Sequence, residues 1–142
     1  MNKLKTVSAI GGTIGSIIVS LFGGWSEGLT VLCILMIIDF ITGIVGAIMG
    51  ESDKSANGGL SSKVIWLGII KKVMTLVMVV VGAQLDIITN SNYIRDAVVI
   101  AYIITETISI IENAGIMGLP IPSIITKVID VLKEKNDNTE VK

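Results

Sequence analysis

The sequence predicts an all-α integral membrane protein with three to four transmembrane helices and a C-terminal amphipathic helix. Four apolar stretches, at 7–22, 29–49, 73–88 and 97–119, are candidates for the membrane helices. Hydrophobic residues make up 51% of the chain and charged residues only 16%, whereas soluble domains average about 25% charged residues. This apolar surface exceeds what 142 residues bury in one water-soluble core.

The distribution of basic residues predicts that both termini lie in the cytoplasm. If all four stretches cross the membrane, the N-terminus, the loop after the second span and the C-terminal tail share one side. Arg95 alone lies on the other side. Lysine and arginine are retained in cytoplasmic loops, so the asymmetry gives an orientation in the membrane. The lysines on the shared side are Lys3, Lys5, Lys54, Lys63, Lys71, Lys72, Lys127, Lys133, Lys135 and Lys142.

The first stretch, 7–22, leaves the number of spans open between three and four. It is short and rich in glycine and serine, so its drive to insert is modest. No small-x-small cleavage site precedes Gly23, so we do not expect a cleaved signal peptide. If this stretch lies along the interface, the N-terminus is outside and three spans remain, but the lysine distribution favours four.

The second and third spans are framed by interfacial residues. A helix over 28–50 would extend about 34 Å, against about 30 Å of hydrocarbon, and Trp25 before it suits the aromatic belt. A polar loop follows at 51–63. We then predict a short helix along the membrane surface, with Lys71 and Lys72 marking the cytoplasmic entry of the span at 73–88.

The last part of the chain turns outside the membrane at 86–96 and crosses it a fourth time. That span ends near Gly118, because Pro120 and Pro122 stop the helix. An amphipathic helix is predicted over 123–135, which completes a single membrane domain of residues 1–135. A polar tail, 136–142, follows.

Two spans carry rows of small residues, which permit close approach of helix backbones in a membrane. Such rows serve packing within one chain or between copies, and both interpretations stay open. The rows contain Gly43 with Ala47, Gly46 with Gly50, and Gly12 with Ser16.

Polar residues at helical spacing form a second pattern. Asp39 and Thr42 share a face of the second span. A carboxylate at the bilayer centre costs about 2.5–3.5 kcal/mol on insertion scales, so these groups should face protein or water. They therefore line an aqueous pore or stabilise a seam between helices. The stripe on the fourth span contains Tyr102, Glu106, Ser109, Glu112 and Asn113.

Several classes of function are excluded by composition. Histidine is absent and Cys33 is the only cysteine, so we expect no metal site, no cofactor and no enzyme. A net charge of −1 argues against nucleic-acid binding.

Five short motifs, in one order over roughly 23–132, resemble the phage-lysis and toxin-secretion holins of Gram-positive bacteria and their phages. They are Asp39-x-x-Thr42-Gly43, Gly68-x-x-Lys71-Lys72, the aspartate Asp86 closing a span, Glu106-x-x-Ser109-Ile110-x-Glu112-Asn113, and Leu119-Pro120-x-Pro122.

The resemblance implies a homo-oligomer that forms lesions in the bacterial cytoplasmic membrane and releases an endolysin or a large toxin, with no direct contact to the cargo required. The polar residues would then contribute to a seam or lumen, the small residues to packing, and the lysine pair to anchoring. Two other functions stay open. One is a small ion or proton channel using Asp39 and Glu106, although no inverted repeat is evident. The other is a membrane scaffold without a pore.

Overall fold

A computed structural model describes residues 3–49 and 61–137, and this part of the chain is entirely helical between its turns. The predicted all-α class is confirmed. Gly50, residues 51–60 of the loop predicted over 51–63 and residues 138–142 of the predicted tail lie outside the described residues. The last residues of that predicted loop, Ser62 and Lys63, belong to α3 (Ser62–Thr89). Two helices, α2 and α3, are long and apolar enough to cross a membrane. The helices are α1 (Lys3–Leu21), α2 (Glu27–Ile48), α3 (Ser62–Thr89), α4 (Ile94–Ile116) and α5 (Ser123–Asp137).

The chain forms two compact units. Unit 1 contains Met1–Ile34 and Leu67–Ile104, and unit 2 contains Leu35–Trp66 and Thr105–Lys142. The boundary between the units falls within α2, α3 and α4, so each of these helices has one part in unit 1 and the other part in unit 2.

Helix α3 corrects one prediction. We expected a surface helix that was separate from the third span, but one helix runs from Ser62 to Thr89. The glycine that precedes the lysine pair, Gly68, costs the helix only about 1 kcal/mol, and a lysine pair does not interrupt a helix at all. In unit 1 exposed apolar side chains lie on both sides of the lysine pair, from Leu67 to Ile88, a length of about 32 Å.

The core of unit 1 is made of small and branched side chains from three helices. Its buried residues are Leu29, Leu32, Val79, Ala83 and Val99, none more than 3% exposed. Gly82 lets α3 approach α4 closely, because a Cβ atom there would lie 3.1 Å from the Cα atom of Arg95.

Helix α1 ends in a Schellman motif at Gly23, whose φ of 70° suits glycine. The amide of Gly23 donates to the carbonyl of Ser20 at 3.0 Å, and the amide of Gly24 donates to that of Val19 at 3.0 Å. These bonds satisfy two carbonyls at the end of the helix.

Helix α4 ends in the same way, at Gly118 with a φ of 74°. The amide of Gly118 donates to the carbonyl of Gly115, and that of Leu119 to Ala114, both at 3.0 Å. The last helical residue is Ile116, so Gly118 closes the helix before Pro120 and Pro122, which lie in the connection to α5. The sequence had assigned this role to the two prolines.

Candidate functional site

Three of the predicted polar residues meet in unit 2. The side-chain amide of Asn113 donates to Asp39 Oδ1 and to Thr42 Oγ1, both at 3.1 Å. The hydroxyl of Thr42 donates in turn to the backbone carbonyl of Asp39 at 3.0 Å. Asn113 is only 5% exposed. We call Asp39, Thr42 and Asn113 the α2–α4 clamp.

The geometry of the clamp uses both amide hydrogens of Asn113. A third acceptor, the carbonyl oxygen of Asp39, lies farther away at 3.4 Å, so the two bonds at 3.1 Å are the principal ones. A buried amide without partners costs about 1–3 kcal/mol, and the clamp avoids this cost. It therefore favours a fixed arrangement of α2 and α4 in unit 2.

Small residues beside the clamp allow the two helices to approach. A Cβ atom at Gly43 would lie 3.7 Å from Asn113 Nδ2, and one at Gly46 would lie 3.9 Å from Met117 Cγ. Ala47 is 4% exposed. Because Asn113 lies by Gly43 and Met117 by Gly46, α2 and α4 run in the same direction in unit 2.

The rest of the predicted polar stripe is divided by burial. Glu106 is 7% exposed, Ser109 is half-buried and Glu112 is exposed. Tyr102 is half-buried and belongs to unit 1. In this conformation the stripe of unit 2 therefore forms part of a helix seam at Asn113, and its members do not share one exposed wall.

In unit 1, Arg95 at the start of α4 contacts the turn between α1 and α2. Its Nη1 atom donates to the carbonyls of Phe22, Gly23 and Gly24 at 3.1, 3.0 and 3.3 Å. Its Nε and Nη2 atoms donate to Asp96 Oδ1 at 3.0 and 2.9 Å. We call these contacts the Arg95 latch. They bring the α1–α2 turn and the start of α4 to the same end of unit 1.

The sequence singled out Arg95 only as a charge on the other side of the membrane. A signal for the latch was available in the glycine pair that ends α1, which leaves carbonyls in need of a donor. Gln84 adds a second tie to this region, since its Nε2 atom donates to the carbonyl of Leu21 at 3.2 Å.

Asp86 holds the α3–α4 turn together. Its Oδ1 atom accepts from the hydroxyl of Ser91 at 2.6 Å and from the amide of Ile94 at 2.9 Å. Its Oδ2 atom accepts from the amide of Arg95 at 3.0 Å. A carboxylate at this position satisfies amides at the start of α4 and complements the helix dipole.

The first helix presents an open face. A Cβ atom at Gly12 would meet nothing within 4 Å, and Ser16 is exposed. Its apolar side chains are exposed as well, with Val7 at 69% and Ile10 at 56%.

The predicted interface anchors differ in exposure. Trp25 is 56% exposed, and its indole nitrogen donates to Thr30 Oγ1 at 2.8 Å. Lys71 is exposed, whereas Lys72 is half-buried. Within residues 3–49 and 61–137, no three histidine, cysteine or acidic residues lie together as a metal site would require.

Comparisons with a protein-family model and with individual proteins agree with each other. The model of the bacteriophage holin family matches residues 16–134. An uncharacterized protein of Halalkalibacterium halodurans is 38% identical over 119 residues, covering 80% of this chain and 83% of the relative. An uncharacterized protein of Listeria monocytogenes is 34% identical and covers 90% and 87%. A probable holin of Bacillus phage phi105 is 33% identical over 110 residues and covers 77% and 76%. No solved structure matches the chain.

Proposed function

Because the chain belongs to the bacteriophage holin family, we propose that it forms lesions in the cytoplasmic membrane through which an endolysin reaches the cell wall and lyses the host. The observation that carries the proposal is the family match, which covers most of the chain. The family consists of membrane proteins that are not enzymes, and its members contact membrane lipid. A large toxin is a second cargo that the same lesion would pass.

We propose four spans, α1 to α4, within one membrane domain and with both termini in the cytoplasm. The Arg95 latch supports this topology, because it holds the α1–α2 turn and the start of α4 at one end of unit 1. The parallel course of α2 and α4 in unit 2 also agrees with it. Helix α5, with exposed Ile124 and Val128, would lie along the cytoplasmic surface.

The clamp suggests how the protein stays harmless before lysis. Its polar groups are satisfied inside unit 2, so a single copy offers no aqueous path at Asn113. Assembly would turn Glu106, Ser109 and Glu112 toward water in a lumen that many copies share. The open face of α1, with Gly12 and Ser16, would supply contacts between copies, because close backbone approach favours helix association in lipid.

Inducing the chain in a bacterial host that also expresses a cytoplasmic endolysin tests the proposal. We expect abrupt lysis after a delay, only when both proteins are present, with endolysin activity appearing in the periplasm beforehand. Depolarisation without endolysin release would favour a small channel. Membrane insertion without either effect would favour a scaffold.

A matched pair of variants separates assembly from folding. Gly12→Leu places a large side chain on the open face, where nothing in the described chain obstructs it. We expect normal insertion and delayed or absent lysis. Ile10→Leu keeps the volume of an exposed apolar residue and should lyse on the normal schedule. Equal timing in both variants would remove α1 from the assembly contacts.

A further inference from the structure

We propose that Lys71 binds the headgroup of an anionic phospholipid in the cytoplasmic leaflet. The inference rests on the proposed orientation, in which the beginning of α3 lies at the cytoplasmic side. It adds a lipid specificity that membership of the family does not supply.

Lys71 lies inside the apolar surface of α3 rather than at its edge. Leu67, Met74 and Met78 share its face by helical spacing and are 46%, 52% and 42% exposed. The exposed aliphatic side chains of α3 begin at Leu67, directly after the exposed Trp66, so in the proposed orientation the backbone of Lys71 lies about 6 Å inside the hydrocarbon level. An ammonium group at that depth must reach an interface.

The direction of the side chain suits this reach. Side chains on a helix lean toward its N-terminus, and the N-terminus of α3 is the cytoplasmic end in the proposed orientation. The aliphatic stem of Lys71 would pack along Leu67 and carry the ammonium to the level of the headgroups. The same lysine near the other end of the helix would lean into the hydrocarbon.

Charge favours an anionic occupant. Between Ser62 and Leu85 the helix carries Lys63, Lys71 and Lys72 and no acidic residue. Lys72 is half-buried and has an interaction partner within the protein, whereas the described part of the chain gives Lys71 no ion-pair partner. A phosphatidylglycerol headgroup carries a net negative charge that can pair with the Lys71 ammonium group. A zwitterionic phosphatidylcholine headgroup carries no net charge.

Quenching of tryptophan fluorescence by brominated lipids measures this preference directly. The chain has two tryptophans, so Trp25→Phe leaves Trp66 as the only tryptophan, which is excited at wavelengths that tyrosine does not absorb. Trp66 precedes Leu67 in the sequence and is 64% exposed. The full chain is reconstituted into phosphatidylcholine vesicles containing brominated phosphatidylglycerol or brominated phosphatidylcholine. We expect phosphatidylglycerol to bind about five-fold more tightly, the value for one basic residue near an anionic surface.

Three variants in the Trp25→Phe background locate the preference. Lys71→Gln should abolish it and Lys71→Arg should retain it. Lys127→Gln, which removes an exposed lysine of α5, should leave it unchanged. Equal quenching by the two lipids, or a preference that persists in Lys71→Gln, would overturn the proposal. Lysis activity is scored separately, so a chain that lyses cells without lipid preference refutes only this inference.

Discussion

The close approach of α3 and α4 at Gly82 makes the substitution Gly82→Ala a demanding test of the fold. The new Cβ atom would lie 3.1 Å from Arg95 Cα, 3.4 Å from Arg95 N and 3.3 Å from Val98 Cγ2. Unstrained carbon–carbon contacts begin near 3.5 Å, so the start of α4 must move by roughly 0.4 Å. Backbone atoms cannot rotate out of the way as a side chain can.

The expected magnitude follows from two opposing terms. Overpacking of this kind costs about 1–3 kcal/mol. Replacing glycine by alanine inside a helix contributes about 1 kcal/mol in the favourable direction. Gly82→Ala should therefore lower the free energy of unfolding by about 0–2 kcal/mol. Two other glycine-to-alanine substitutions separate the cost of overpacking from the gain in helix propensity.

Gly12→Ala and Gly115→Ala are the controls. The first has nothing within 4 Å, and the second meets only the Cδ1 atom of Ile121, at the same 3.1 Å as in the test variant. The tip of an isoleucine side chain can rotate, so both controls should be at least as stable as the wild type.

The free energy of unfolding is measured by titrating SDS into mixed micelles and following helix content by circular dichroism. We expect Gly82→Ala to be about 1–3 kcal/mol less stable than Gly12→Ala. If the two variants are equally stable, α3 and α4 do not approach closely at Gly82, and the predicted overpacking is wrong.

Two further substitutions test the polar contacts. Asn113→Leu leaves the acceptors of Asp39 and Thr42 without their donor, so the free energy of unfolding in the same titration should fall by about 1–3 kcal/mol and lysis should begin earlier. Ser109→Ala is the control, and an Asn113→Leu variant with the stability and lysis timing of that control would contradict the clamp. Arg95→Gln removes charged hydrogen bonds worth about 1.5–3 kcal/mol, so the rate of hydrogen–deuterium exchange of the amides around Gly23 should rise about 10- to 100-fold. The exchange of α5 should not change, and equal exchange around Gly23 in the variant and the wild type would contradict the latch.

The approximate bounds of α1, α2, α4 and α5 could be predicted because apolar runs and turn residues act locally. The same reasoning failed at the lysine pair of α3. Charge indicated an interface at Lys71 and Lys72, but a charged side chain ends the apolar run in the sequence without ending the helix. A long side chain reaches the interface from within the apolar surface, so the helix continued unbroken from Ser62.

Contacts between distant segments were beyond the reach of the sequence. Periodicity placed Asp39 and Asn113 on polar faces of their helices, but it does not give the depth at which two helices align. Arg95 and the turn at Gly23 are 72 residues apart, and only the packing of unit 1 brings them together. A helix in lipid is apolar on its lipid-facing and its protein-facing sides alike, so its sequence does not show which segment it contacts.

The Arg95 latch also bears on how the chain enters a membrane. The arginine shares its charge with Asp96 at 2.9 Å and with carbonyl dipoles at the end of α1. Once these contacts form, the guanidinium group of Arg95 has its hydrogen-bond acceptors within the protein. In the proposed orientation, the only basic residue on the translocated side is therefore neutralised by its own neighbours. Before these contacts form, the orientation rests on the lysine-rich cytoplasmic segments, because acidic neighbours such as Asp96 contribute little to the positive-inside rule.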